Sequence, residues 1–126
     1  MDYELISQTA LFQGCSPSET EKLLHGLKTF TKNLWGNKNI ISLAHTGEVF
    51  AEAYACVPGE PMMVDVIAME EAEILFLNVP ELFRLSAAGK GEYSHLIHNM
   101  TIISARKNLL LSRRILHTSS KKIRDR

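Results

Sequence analysis

The apolar residues near the N-terminus follow a strong helix-start signal. Ser16 is a good N-cap, Pro17 suits the first helical position, and Glu19 stands three residues after the cap, where it completes a capping box. We expect the helix to end near Gly26. The apolar stripe that it would bury consists of Leu23, Leu24 and Leu27.

Shorter apolar runs predict strands further along the chain. Residues 39–44 and 62–68 carry alternating or branched apolar side chains, and residues 73–77 form a third run after an acidic corner. Because the last two runs are close in sequence, we expect them to pair as a hairpin. Pro80 then favours a short helix over residues 81–86.

The C-terminal part of the chain has the pattern of one long helix. Residues 93–117 contain neither glycine nor proline, and apolar or small residues recur there at alternating spacings of three and four, which is typical of a coiled-coil seam. The seam consists of Ile102, Ala105, Leu109, Ser112 and Leu116. A second apolar line beside it consists of Leu96, Met100, Ile103 and Leu110. If one line packs on the chain's own domain, the other is left for the same helix of a second copy, so we predict a homodimer.

Composition adds a division of charge to this pattern. The 126 residues carry no formal net charge and are 45% hydrophobic, which fits one core with an appendage. Residues 39–83 hold eight carboxylates and no lysine or arginine, whereas the end of the chain is basic. No stretch reaches the roughly 18 apolar residues of a membrane helix, and no signal-peptide pattern is present, so we expect a cytoplasmic protein without membrane contact. Cys15 and Cys56 match no metal spacing and are expected to be free thiols.

A glycine, two carboxylates and a short apolar run occupy the middle of the chain. This segment, the 47–52 turn, consists of Gly47, Glu48, Val49, Phe50, Ala51 and Glu52. With a capped helix before it and a long helix after it, it resembles the effector-binding half of the Crp/Fnr family of bacterial transcription regulators. The family's phosphate-binding cassette reads approximately Gly-Glu-apolar-x-(Gly/Ala)-Glu, followed after a loop by Arg-(Ser/Thr)-Ala. The resemblance covers nearly the whole chain.

The resemblance implies a fold and a domain organisation. It predicts a mainly β protein with helices, in which a cyclic-nucleotide-binding-like β-roll of the jelly-roll type occupies residues 1–88. A dimerisation helix and the start of a hinge would occupy residues 89–126. Fewer strands are found than such a roll needs, so we predict that strands are missing between Asn33 and Leu34. The helix-turn-helix domain that would follow the hinge is absent from this chain, and DNA contact would belong to that domain.

One departure from the family pattern changes the expected ligand. Met62 and Met63 stand where the family has its Arg-Ser pair, and methionine cannot neutralise a cyclic phosphate. Since residues 39–83 lack any lysine or arginine, a phosphate there would face carboxylates alone. We therefore expect no canonical cAMP or cGMP binding and assign no cofactor. The family pattern carries over Glu48 as a cap of the turn, Glu52 as a hydroxyl acceptor and Asn108 as a contact to a nucleotide base.

Structural roles remain open for the same residues. Asn108 is alternatively a polar residue at the dimer seam or on the surface, and a methionine such as Met62 often fills a core. His95 and His98 lie three apart on the long helix, but two histidines do not make a metal site, so no metal ligand is assigned.

The sequence thus favours the sensor and dimerisation region of a Crp/Fnr-type regulator, with a small-molecule effector and no enzymatic activity. One alternative is a small cupin-like enzyme that holds a metal through His45 and Glu52. The other is a ligand-free dimerisation module, in which the 47–52 turn is only a turn.

Overall fold

The computed structural model describes residues 1–34, 44–61 and 66–124 and shows a mainly helical protein. α-Helices hold 57% of the described residues and strands hold 9%. The prediction of a mainly β fold built on a β-roll is therefore wrong. Most of the predicted strands 39–44 and 62–68 lies outside the described residues, and the parts that are described, residues 44 and 66–68, are not in a strand. Short apolar runs do not by themselves distinguish a strand from other structure, which is why this prediction failed.

Five helices, one 3₁₀ turn and two strands make up the described part of the chain. They are α1 (Tyr3–Ser7), the 3₁₀ turn (Ala10–Phe12), α2 (Pro17–Gly26), β1 (Phe30–Leu34), α3 (Glu52–Cys56), β2 (Ala72–Phe76), α4 (Val79–Ala87) and α5 (Gly91–Arg124). Among these helices, none has both the length and the hydropathy that crossing a bilayer requires.

Helices α2 and α4 are both predicted by local sequence signals, although α4 spans Val79–Ala87 and not only residues 81–86. Ser16 Oγ accepts a hydrogen bond from the Glu19 backbone N–H at 3.1 Å, and Glu19 Oε1 accepts one from the Ser16 N–H at 3.4 Å. This is the predicted capping box, and α2 ends at Gly26 as expected. Asn78 caps α4 in the same way, since its Oδ1 accepts from the Glu81 N–H at 3.1 Å. Side-chain oxygens thereby satisfy backbone donors that have no partner inside the helix.

The core lies where the first half of α5 packs against the 3₁₀ turn and α4. Its members are apolar side chains that are nearly fully buried: Leu11, Phe12, Leu23, Leu24, Leu27, Val79, Leu82, Leu85, Tyr93, Leu96 and Met100. Burial of one such large side chain stabilises the fold by about 1.5–3 kcal/mol. The predicted stripe of α2 is confirmed, because all three of its leucines belong to this set.

Two polar side chains fasten α5 to the end of the 3₁₀ turn. Asn99 Nδ2 donates to the Leu11 carbonyl at 2.7 Å and to the Gln13 carbonyl at 3.0 Å, and His95 Nε2 lies 2.7 Å from that second carbonyl. Carbonyls at a helix end lack an intrahelical partner, so these bonds satisfy them. Gly14 follows at φ +89°, and a Cβ there would come within 2.7 Å of His95. The position therefore requires glycine.

The two strands pair with each other in antiparallel register. Phe30 lies opposite Phe76, and Leu34 lies opposite Ala72. The rings of Phe30 and Phe76 stack with their centroids 4.8 Å apart. β2 thus pairs with β1, and the predicted hairpin between residues 62–68 and 73–77 is not found among the described residues. β1 also runs through the Asn33–Leu34 peptide, where the loss of strands stays a prediction.

The contact between Gly26 and Tyr93 gives a test of the packing of α5 on α2. Alanine stabilises a helix over glycine by about 1 kcal/mol, so helix propensity alone predicts a more stable Gly26→Ala variant. A Cβ at this position would instead clash with the Tyr93 hydroxyl. Because overpacking costs about 1–3 kcal/mol, we expect Gly26→Ala to lower the free energy of unfolding, as measured by urea denaturation.

The control is Tyr93→Phe, which removes the clashing oxygen. We expect this change to recover more than half of the lost stability in the Gly26→Ala background. Equal effects of Tyr93→Phe in both backgrounds would contradict the contact.

Candidate functional site

The 47–52 turn leads the chain into the short helix α3. The Glu48 backbone N–H donates to the His45 carbonyl at 3.0 Å, and Gly47 has φ +84°, which glycine adopts freely. Ala51 has φ 62° and ψ 15°, a left-handed conformation that is uncommon for a residue with a side chain. Glu52 is then the first residue of α3. The predicted turn is present, and it ends in a strained residue next to a carboxylate.

Lys107 of α5 contacts two residues of this turn, Val49 and Glu52. Lys107 Nζ lies 2.8 Å from Glu52 Oε1 and donates to the Val49 carbonyl at 2.6 Å. The Glu52 side chain is only 9% exposed, whereas that of Lys107 is 46% exposed. A carboxylate so far removed from water needs a partner of opposite charge, and Lys107 supplies it. The ammonium therefore neutralises Glu52 and satisfies a backbone carbonyl at once.

Lys107 places a positive charge beside the turn, contrary to the expectation from the sequence. The 39–83 window holds no lysine or arginine, and it was expected to leave the turn without positive charge. Lys107 reaches the turn from 58 residues further along the chain. A signal for it existed in the sequence, because Lys107 interrupts the apolar line of Leu96, Met100, Ile103 and Leu110 at the same spacing of three and four. A lysine in an apolar line that faces the body points to a partner carboxylate there.

The apolar line of α5 faces the body of the protein in its first half. Leu96 and Met100 are 1% and 6% exposed, and Ile103 is partly buried against the core. Leu110 is 50% exposed, so the contact does not continue to the end of the line. The prediction that one face of this helix packs on its own domain is confirmed for these first three residues.

The predicted dimer seam is mostly uncovered in the single chain. Leu109 and Leu116 are 53% and 67% exposed, Ala105 is also exposed, and Ile102 and Ser112 are half-buried. The side chains of this seam therefore remain available to a second helix. Self-association through the seam stays a prediction.

The remaining predicted ligand residues are not gathered into one site. Glu48 and Asn108 are exposed, and Phe50 is 36% exposed. Met62 and Met63 lie outside the described residues. Among the described residues of this set, Val49 and Glu52 are brought together by their contacts with Lys107.

The histidines do not converge on a metal. His45 and His98 are exposed, while His95 is engaged by the Gln13 carbonyl. In the described ranges 1–34, 44–61 and 66–124, no three side chains of the His, Cys, Asp or Glu type lie close enough to hold a metal ion.

The two cysteines are free thiols in partly buried positions. Burial raises the pKa of the Cys56 thiol, and the negative charge of Glu52 raises it further. Burial likewise raises the pKa of Cys15, with a smaller effect from Glu19. Both thiols are therefore less reactive at neutral pH than an exposed cysteine, since the thiolate is the nucleophile.

The effect of the Glu52 charge on the pKa of Cys56 gives a chemical test of the turn. Glu52→Gln removes one of the two causes that raise the Cys56 pKa, so the pKa should fall while burial still holds it above the usual range. At pH 7.5 we expect the alkylation rate of Cys56 to rise by about threefold, measured with iodoacetamide and peptide mass spectrometry. Cys15 is an internal control, and an unchanged ratio of the two rates would contradict this arrangement.

Comparison of the chain with known protein families, curated proteins and solved structures finds no match. The resemblance to the Crp/Fnr family therefore rests on the sequence motifs alone.

Proposed function

We propose that this chain is the sensor and dimerisation region of a Crp/Fnr-type transcription regulator acting in the bacterial cytoplasm. The observation that carries the proposal is the division of α5 into a face buried on the body and an exposed apolar face. The proposal assigns no enzymatic activity to the chain and places DNA contact in a domain outside it.

The exposed part of α5 supports dimerisation. Within twelve consecutive positions, three side chains on the seam side of α5 are exposed: Ala105, Leu109 and Leu116. Single exposed leucines are ordinary, but a concentration of this kind marks an interaction surface. The alternating spacing of three and four from Ile102 to Leu116 suits the same helix of a second copy. At about 1.5 Å per residue, α5 is also long enough to present this surface clear of the core.

The contact at Lys107 supports a sensing role for the 47–52 turn. It joins the turn directly to the helix that carries the seam. A change at the turn on effector binding would therefore reach α5 without passing through the core. The proposed effector is a small molecule other than a cyclic nucleotide, because Met62 replaces the phosphate-binding arginine of the family pattern.

A ligand-free dimerisation module is the second candidate, and one observation favours it. Glu52 and Lys107 already neutralise each other without any ligand. In that case the turn serves only to hold α3 and α5 together.

Substitutions in α5 test the dimer. We expect the wild-type chain to sediment as a dimer and Leu109→Asp to weaken dimerisation by more than about tenfold, since a charge would be placed in the seam. Sedimentation equilibrium measures the dissociation constant.

Leu111→Asp is the matched control for this substitution. Leu111 is as exposed as Leu109 and lies on the same helix, but it stands outside the predicted seam. We expect its dimer to be nearly unaffected. Equal weakening by both substitutions, or a monomeric wild type, would contradict the proposed seam.

A thermal-shift titration tests the sensing role. A ligand present at 100 times its dissociation constant stabilises a protein by about 2.7 kcal/mol, which raises the melting temperature by several degrees. We expect no such rise with cAMP or cGMP, and a rise with either would overturn the argument from Met62. A rise with one member of a panel of small acids and metabolites would favour the sensor over the ligand-free module.

A further inference from the structure

The strained residue of the 47–52 turn stands between the two groups that Lys107 contacts. Ala51 occupies the left-handed region at φ 62° and precedes α3 without a side-chain capping bond. Val49, whose carbonyl accepts from Lys107, comes two residues earlier, and Glu52 comes directly after. A non-glycine residue keeps such a conformation only where its surroundings hold it in place. The Lys107 ammonium contacts residues on both sides of Ala51, and the Ala51 carbonyl accepts a hydrogen bond from the Ala55 N–H at 3.2 Å.

Lys107 is placed on the side of α5 that faces the body. It continues the buried line of Leu96, Met100 and Ile103 at the next helical spacing. At about 100° per residue, Lys107 lies about 160° around the helix axis from both Ala105 and Leu109 of the predicted seam. The contact that holds the turn therefore pulls α5 toward the body from the side opposite the seam.

We infer that the Lys107 contact with Glu52 and Val49 is a latch that couples the 47–52 turn to dimerisation. With the latch closed, the turn is held in its strained form and α5 is fixed on the body with its seam directed outward. With the latch open, Ala51 relaxes and α5 loses this restraint. A pre-oriented seam loses less freedom on association, so the closed latch favours the dimer. The dimer half of this inference rests on the proposed function.

Lys107→Met tests the latch in the full chain. Methionine keeps the length and the apolar character of the lysine stem, and it lacks the charge and the hydrogen-bond donors of the ammonium group. We expect hydrogen exchange of the amides at 47–56 to rise by about tenfold and the dimer dissociation constant to rise by about fivefold. Lys107→Arg retains a cation with hydrogen-bond donors and should keep both values within about twofold of the wild type. Lys22→Met, which removes a lysine charge from the exposed side of α2, is the control. Unchanged exchange in the core of α2 and α4 shows that each variant is folded.

Each outcome decides a separate part of the inference. Unchanged exchange at 47–56 in Lys107→Met would overturn the latch. Faster exchange at 47–56 in Lys107→Met with an unchanged dimer dissociation constant would overturn the coupling to dimerisation. A monomeric wild type would overturn the proposed function and the coupling, whereas the exchange data would still decide whether Lys107 holds the turn.

Discussion

The packing of the first half of α5 against the 3₁₀ turn is the interaction on which the other features depend. Leu96 and Met100 are buried there among apolar side chains from α2 and α4, and Asn99 bonds to the carbonyls of Leu11 and Gln13. The apolar contacts supply the larger share of the stabilisation. The hydrogen bonds from the Asn99 side chain fix the position of the 3₁₀ turn along α5. Once this register is set, Lys107 comes to lie two to three helical turns further on, beside the 47–52 turn.

The same register divides α5 into a buried first half and an exposed second half. Its first half belongs to the core, and its second half carries large apolar side chains that the single chain leaves exposed. A helix cannot bury two opposite faces on one small body, so under the proposed function a second copy covers the seam side. Lys107 stands between these two halves, which is why its contact is a suitable point of coupling.

Local signals in the sequence predict α2, α4 and α5, whereas they do not predict α3 or the contacts between distant segments. The capping box at Ser16 acts over three residues, Pro80 marks the first turn of α4, and α5 has a long uninterrupted helical pattern. The partner of β2 was missed because β1 lies far away in the chain and several closer apolar runs competed for the pairing. The prediction of a mainly β fold is wrong because helices make up most of the described residues. The charge balance at Glu52 was missed for a similar reason, since a window of neighbouring residues does not contain Lys107.

The central claim is that the exposed side of α5 meets the same side of a second copy. Disulfide cross-linking at position 112 tests it most directly. In a chain with Cys15 and Cys56 replaced by alanine, Ser112→Cys should cross-link rapidly under mild oxidation, because facing seam positions lie within the distance a disulfide spans. Leu111→Cys, one position away from the seam, should cross-link much more slowly. Cross-linking that is absent at position 112, or that is as fast at position 111, would contradict the account.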